Sequence, residues 1–169
     1  MNHKILMWPD PKLKIVSAKA DLSTPEAVAA AEQLALEMIQ VMRAAQGAGL
    51  AAIQIGLPTR ILVTDSWALF NPKITVRSPD TKLVKEGCLS LPGVFETVRR
   101  ATAIEISAEY QMEFGTSSPR GPRKLRLYGL QAQVIQHEME HLDGKFFLDN
   151  VSPMKRARVL HKLQTRVTS

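Results

Sequence analysis

The chain holds one cysteine, Cys88, in 169 residues. A single thiol cannot build an internal disulfide framework, so a reducing compartment is the natural home. No stretch approaches the roughly 18 apolar residues of a membrane span. The start, Met1 to Asp10, reaches Trp8-Pro9 before a signal-length apolar core can form. A cytoplasmic protein without a membrane partner is therefore expected. Glycine (9) and proline (10) are too sparse for a collagen-like or linker-like chain, and there are no internal repeats. What is present is a 45% hydrophobic composition with 22 Lys+Arg against 16 Asp+Glu. That is enough apolar material for one core, and a single domain over residues 1–169 is expected, its last ~16 residues a basic helix. Nothing demands more than a monomer. The net charge of +6 suits an acidic partner such as RNA, or simply solubility.

Ser23-Thr24-Pro25-Glu26 carries a cap-forming hydroxyl, a first-turn proline and an early carboxylate. From there Ala31, Leu34, Met38, Val41 and Ala45 recur at helical spacing until Gln46-Gly47, which predicts a helix over 25–45. Arg60 to Asp65, the segment led by Leu69-Phe70-Asn71-Pro72, Thr102 to Tyr110 and Lys124 to Tyr128 read as strands. Gly115 to Arg123 reads as a basic surface loop. Leu130 to Leu142 reads as a helix closed by Asp143-Gly144, and Ser152-Pro153 opens a last helix with Lys155, Arg156, Arg158, His161, Lys162 and Arg166. Strands in the middle with helices outside them give an α+β class.

The strongest chemical signal is His137-Glu138-Met139-Glu140-His141. In a helix, residues i and i+4 share a face about one turn apart, so His137 and His141 can offer two imidazoles to one metal. Glu138 lies about 60° round the helix from His141, placed to serve as a general base without being a ligand. The bland alternative is a surface helix with solvated side chains. A catalytic metal needs a third protein ligand, and Cys88 is the candidate, flanked by Gly87 and Ser90 in Glu86 to Gly93. Alone, it reads equally as a small buried hydrophobe. Gly47 to Gly56 is dense in glycine and alanine, which lets backbone approach a substrate, and Gln54 offers a neutral amide donor suited to an oxyanion. The alternative is a helix C-cap followed by a small-residue strand.

Gly47 to Gln54, Glu86 to Ser90 and Gln136 to Leu142 stand in the order GxGLAAxQ, EGCLS and QHExxHL, and on these motifs nearly the whole chain resembles the peptide deformylases. The short spacing between the first helix and Cys88 is similar to the Gram-negative and organellar branch. The resemblance implies antiparallel sheets packed around a central helix that bears the HExxH motif. It implies removal of the formyl group from the N-terminal formylmethionine of new polypeptides, with release of formate. It implies one divalent metal held by Cys88, His137 and His141, Fe(II) in vivo and replaceable by Ni, Co or Zn. Glu138 would be the general acid and base, with Gln54 and the Leu89 backbone N–H stabilising the oxyanion. Gly47, Ala48, Gly49, Val84, Gly87, Leu130, Gln133 and Val134 would bind the substrate. In the family a basic tail can dock on the ribosome, which makes the ribosome a partner to test.

Some positions depart from the family pattern. Gln133 stands where an apolar residue is common, Ala48 where a larger aliphatic is frequent, and Glu140 where an aspartate is usual. Gln133 keeps open a hydrolase that acts on a different N-acyl group. An HExxH metalloprotease draws its third ligand from downstream, and neither Asp143 nor His161 has the expected spacing. A binding-only domain is the remaining class, but every catalytic position carries a competent residue type.

Overall fold

Helix α1, Pro25–Ala44, begins where the sequence places its cap, with Thr24 Oγ1 accepting the Ala27 N–H at 3.1 Å. The computed structural model describes residues 3–115 and 121–167, with side chains as far as Gln164. Along α1, Ala31, Ala35, Met38, Ile39 and Met42 are buried, one apolar stripe at helical period. The helix stops before Gln46, which adopts φ 55°, as the Gly47 N–H turns back to the Met42 carbonyl at 2.9 Å.

The main sheet contains β1 (Gly49–Ala51), β2 (Ile61–Thr64), β3 (Trp67–Phe70), β4 (Lys73–Arg77), β7 (Ala103–Glu113) and β8 (Gly121–Tyr128), all antiparallel. β3 and β4 lie in series along one edge of β7, and β8 covers its other edge. Ile61-Leu62-Val63 is continuously apolar because both faces of β2 are buried: Ile61 and Val63 pack toward α1, Leu62 toward the opposite core. On β7, Ile104, Ile106 and Ala108 share that opposite core, whereas Tyr110 and Met112 pack with α1. The register shift between Ala108 and Gln111 moves the even-numbered side chains to the other face.

The opposite core belongs to helix α2, Gly129–Leu142. Ala132, Ile135, Met139 and Leu142 pack on the sheet. Gln136 fastens the helix to Ala101, accepting its N–H at 3.1 Å and donating to its carbonyl at 3.1 Å. A two-stranded ribbon, β5 (Thr81–Cys88) with β6 (Leu91–Ala101), lies on another side of α2. It packs with Leu13, Phe146, Phe147, Leu148 and helix α3, Pro153–Val167, through Leu91, Val94 and Val98. The α+β class and the central HExxH helix are as the sequence predicts. The ribbon was not legible: Thr81 to Lys85 is mostly exposed and carries no clean alternation. β8 begins at Gly121, three residues before the predicted strand, and the rest of the expected loop, 116–120, lies outside the described residues.

The basic face expected of α3 is partly engaged within the molecule. Lys155 pairs with Glu96 and Arg156 with Asp149 at 2.8 Å, while Val159 and Leu163 bury the inner face. The Arg166 side chain lies outside the described residues.

Candidate metal centre and hydrolytic cleft

His137 and His141 project from α2 away from the sheet and meet Cys88 at the end of β5. Their ligand atoms and Cys88 Sγ all lie within 4.8 Å of one another, with Sγ 3.2 Å from His141 Nε2. The rings are held by aromatic contacts: His137 stacks on Phe147 at 5.6 Å, and His141 meets Phe146 edge-on at 5.3 Å. Burial pushes the His141 imidazole well below its ordinary pKa, which leaves a neutral ligand, and its Nδ1 makes no hydrogen bond among the described residues. Burial opposes charge on His137 too, but hydrogen bonds to Cys88 and Glu86 outweigh it and hold that imidazole above its ordinary value. One thiol and two imidazoles converging within this distance fit a single divalent cation of the Zn, Fe, Ni or Co type, whose binding displaces the ligand protons.

Behind the ligands runs a buried charged chain. His137 Nδ1 bonds Glu86 Oε2 at 3.0 Å, which leaves Nε2 as the nitrogen for a metal. Arg100 clamps both oxygens of Glu86 at 2.8 Å and also donates to both oxygens of Glu140, one of them at 2.9 Å. Asn150 closes the chain on Glu140 at 2.9 Å. Burial would raise the Glu86 carboxyl, yet the hydrogen bonds from Arg100 and His137 hold it below its ordinary pKa. The longer Glu140 thus reaches Arg100. Arg100 and Asn150 escaped the sequence reading, because their spacing to the motif is meaningful only once β6 lies beside α2.

Glu138 is 4% exposed and faces β1. Burial pushes its carboxyl up to about 7, with His137 pulling down and Glu86 adding a smaller upward push. Its Oε2 makes no hydrogen bond among the described residues. Gly49 is required where it stands, since a Cβ there would lie 2.6 Å from Glu138 Oε1. Gln54 is fixed by division of labour: its Oε1 accepts the Ala51 N–H at 2.9 Å, so its Nε2 is directed at Ser90 Oγ (3.2 Å) and Cys88 Sγ (3.7 Å). Ser90 is a further contributor that the sequence reading did not single out.

These groups open on a cleft of about 510 Å³ lined by Gly47, Ala48, Gly49, Gln54, Gly87, Cys88, Leu89, Leu130, Gln133, Val134, His137 and Glu138. The predicted site residues therefore converge, with two qualifications. His141 is fully buried behind the lining, and Val84, four residues before Cys88 on β5, is absent from the lining and packs toward the core that holds Leu91, Val94 and Phe147. Gln46, Lys85, Glu86, Pro92, Gly93 and Phe95, none of them a site residue in the sequence reading, complete the lining.

The model of the polypeptide deformylase family matches residues 2–157. A peptide deformylase 2 from Xanthomonas campestris is 41% identical over 167 residues, covering 94% of this chain and 92% of that protein. A peptide deformylase from Acinetobacter baumannii is 35% identical, covering 95% and 89%. Among solved structures, the peptide deformylase from Thermus thermophilus superposes with TM-score 0.83 at 34% identity, covering 99% of this chain and 96% of its own. The Ehrlichia chaffeensis peptide deformylase in complex with actinonin gives TM-score 0.83 at 29% identity, covering 97% and 96%.

Proposed function

The chain belongs to the polypeptide deformylase family, and from that premise we propose how its residues remove the formyl group from N-terminal formylmethionine of new polypeptides and release formate. The observation that carries the assignment of roles is the convergence of Cys88, His137 and His141 beside a buried Glu138 on one cleft. Cys88, His137 and His141 hold one divalent metal, Fe(II) in vivo, with Ni, Co or Zn able to replace it. When bound, the metal supplies the Lewis acidity that brings amide hydrolysis to neutral pH. Glu138 accepts a proton from the attacking water and delivers it to the departing amine as the formyl C–N bond breaks, so the water oxygen leaves in formate. A carboxyl near 7 suits both transfers. Negative charge on the former carbonyl oxygen is met by Gln54 Nε2 and the Leu89 backbone N–H, donors worth on the order of 10²-fold each. The peptide lies extended along Gly47, Ala48, Gly49 and Gly87, where close backbone approach is possible.

The setting of this reaction is part of the same proposal. A thiolate ligand and a chain with one cysteine suit the reducing cytoplasm. No described helix is long and apolar enough to cross a membrane. We take residues 1–169 as one catalytic domain acting as a monomer. Arg158 on the outer face of α3 is suited to ribosomal phosphate; cosedimentation with ribosomes that is unaltered by deleting residues after Pro153 would count against that contact.

The test is formate release from formyl-Met-Ala-Ser by protein purified without oxygen, beside Glu138→Gln, which keeps all three ligands. Turnover of the formyl peptide, absent with acetylated and unblocked peptides and lost in the variant, is expected. Cleavage of the acetylated peptide instead would favour a different N-acyl substrate, and internal cleavage would favour a protease. No formate from correctly metallated protein would overturn the reading.

A further inference from the structure

On α2, Leu130, Gln133 and Val134 precede His137 by a turn to two turns and line the same cleft. A formyl carbon placed between Glu138, Gln54 and Cys88 sets the first residue's side chain against this adjoining wall. Among the residues of this lining, Leu89, Leu130 and Val134 are apolar. Gln133 is half-buried there, and its amide has no hydrogen-bond partner among the described residues. Its neighbour Gln136, by contrast, is fully committed to Ala101 and Ala132. Covering an unpartnered amide with a thioether, a weak acceptor, forfeits its hydrogen bond to water and weakens binding roughly ten- to a hundredfold. A side chain of the same shape with a strong acceptor oxygen near its end restores that bond.

Resting on the deformylase reading, we infer that Gln133 is a specificity-determining residue that extends the substrate class to formyl peptides whose first side chain bears a hydrogen-bond acceptor. Oxidised methionine, the sulfoxide, is the nearest such side chain in shape, differing from methionine by one oxygen. The Gln133 Nε2 donates to that oxygen, while Leu130 and Val134 still cover the methylenes. A wall without a donor would strip the sulfoxide of its hydration uncompensated and reject it by about a hundredfold.

The experiment compares kcat/KM for formyl-Met-Ala-Ser and formyl-Met(O)-Ala-Ser on Ni-loaded protein, for wild type, Gln133→Leu and Gln133→Met. Each variant serves as its own reference, so partial loss of fold cancels in the ratio. The wild type is expected to turn over the sulfoxide peptide within tenfold of the methionine peptide, and both variants to lower the sulfoxide-to-methionine ratio at least tenfold. A larger wild-type deficit, or a ratio that moves less than tenfold in both variants, overturns the inference. If a variant loses all turnover, the wild-type comparison decides alone. Formate from neither peptide would instead overturn the deformylase reading itself, which separates the two failures.

Discussion

Replacing Gly49 by alanine puts a methyl group into the contact between β1 and α2. The added Cβ falls 2.6 Å from Glu138 Oε1, 2.8 Å from Cγ and 2.9 Å from Cδ. Ordinary contact begins at 3.4 Å, so the carboxylate must retreat by about 0.8 Å. Neither side yields easily. Gly49 is paired with Thr64 in the sheet, and Glu138 sits on a helix whose other faces pack on that sheet and hold Cys88's partners. A misplacement near 1 Å of a reacting group costs on the order of 10²-fold. The expected result is therefore a ~30- to 100-fold fall in kcat/KM for formyl-Met-Ala-Ser, with metal content unchanged, because no ligand moves. Overpacking also destabilises by about 1–3 kcal/mol, readable as a lowered urea midpoint. Formate release and bound metal are measured on the same preparation. Activity within threefold of wild type at full metal occupancy would refute the claim that Gly49 sets the position of Glu138.

Gly87→Ala makes a useful contrast, since its Cβ would lie 2.7 Å from the Phe95 ring, a similar overlap. Phe95 is 61% exposed and can swing into solvent, so a loss in kcat/KM below tenfold is expected; a larger loss would show that the ring is fixed. Arg100→Met leaves the 4%-exposed position filled but removes the counter-charge of the buried Glu86, which keeps only His137 beside it, a loss of about 3–5 kcal/mol in chemical denaturation. The same variant should weaken metal binding about 10- to 100-fold by freeing Glu86 from its clamp and so loosening His137, measured by competition with a chromogenic chelator. Chelation of the wild type should abolish formate release and lower the melting temperature, with both restored by Ni or Co; full activity after verified metal removal would sink the ligand assignment.

How much was legible beforehand follows from how local each signal is. The HExxH pairing needs only a helix and its 3.6-residue period, so His137, His141 and the flanking Glu138 could be read directly from spacing. The α1 cap and stripe are equally local. Cys88 and Gln54 were read as ligand and oxyanion donor through the order of their motifs, since 34 and 49 residues separate Cys88 from Gln54 and His137 and no periodicity spans such a gap. The ribbon that carries Cys88 was missed because its exposed residues have no reason to alternate.

What only the tertiary structure decided are the relations across elements. The clamp from Arg100 on β6 to Glu86 on β5 and Glu140 on α2 exists because three segments far apart in the chain are packed side by side. The same holds for the direction of the Gln54 amide, set by Ala51's N–H, and for Val84, which packs toward the Leu91, Val94 and Phe147 core and not the cleft. Sequence determined the chemical inventory and its helical phasing, because residue type and local period are properties of the chain itself. Folding determined which buried charges find partners, because desolvation allows a buried ion to persist only where packing delivers a counter-charge.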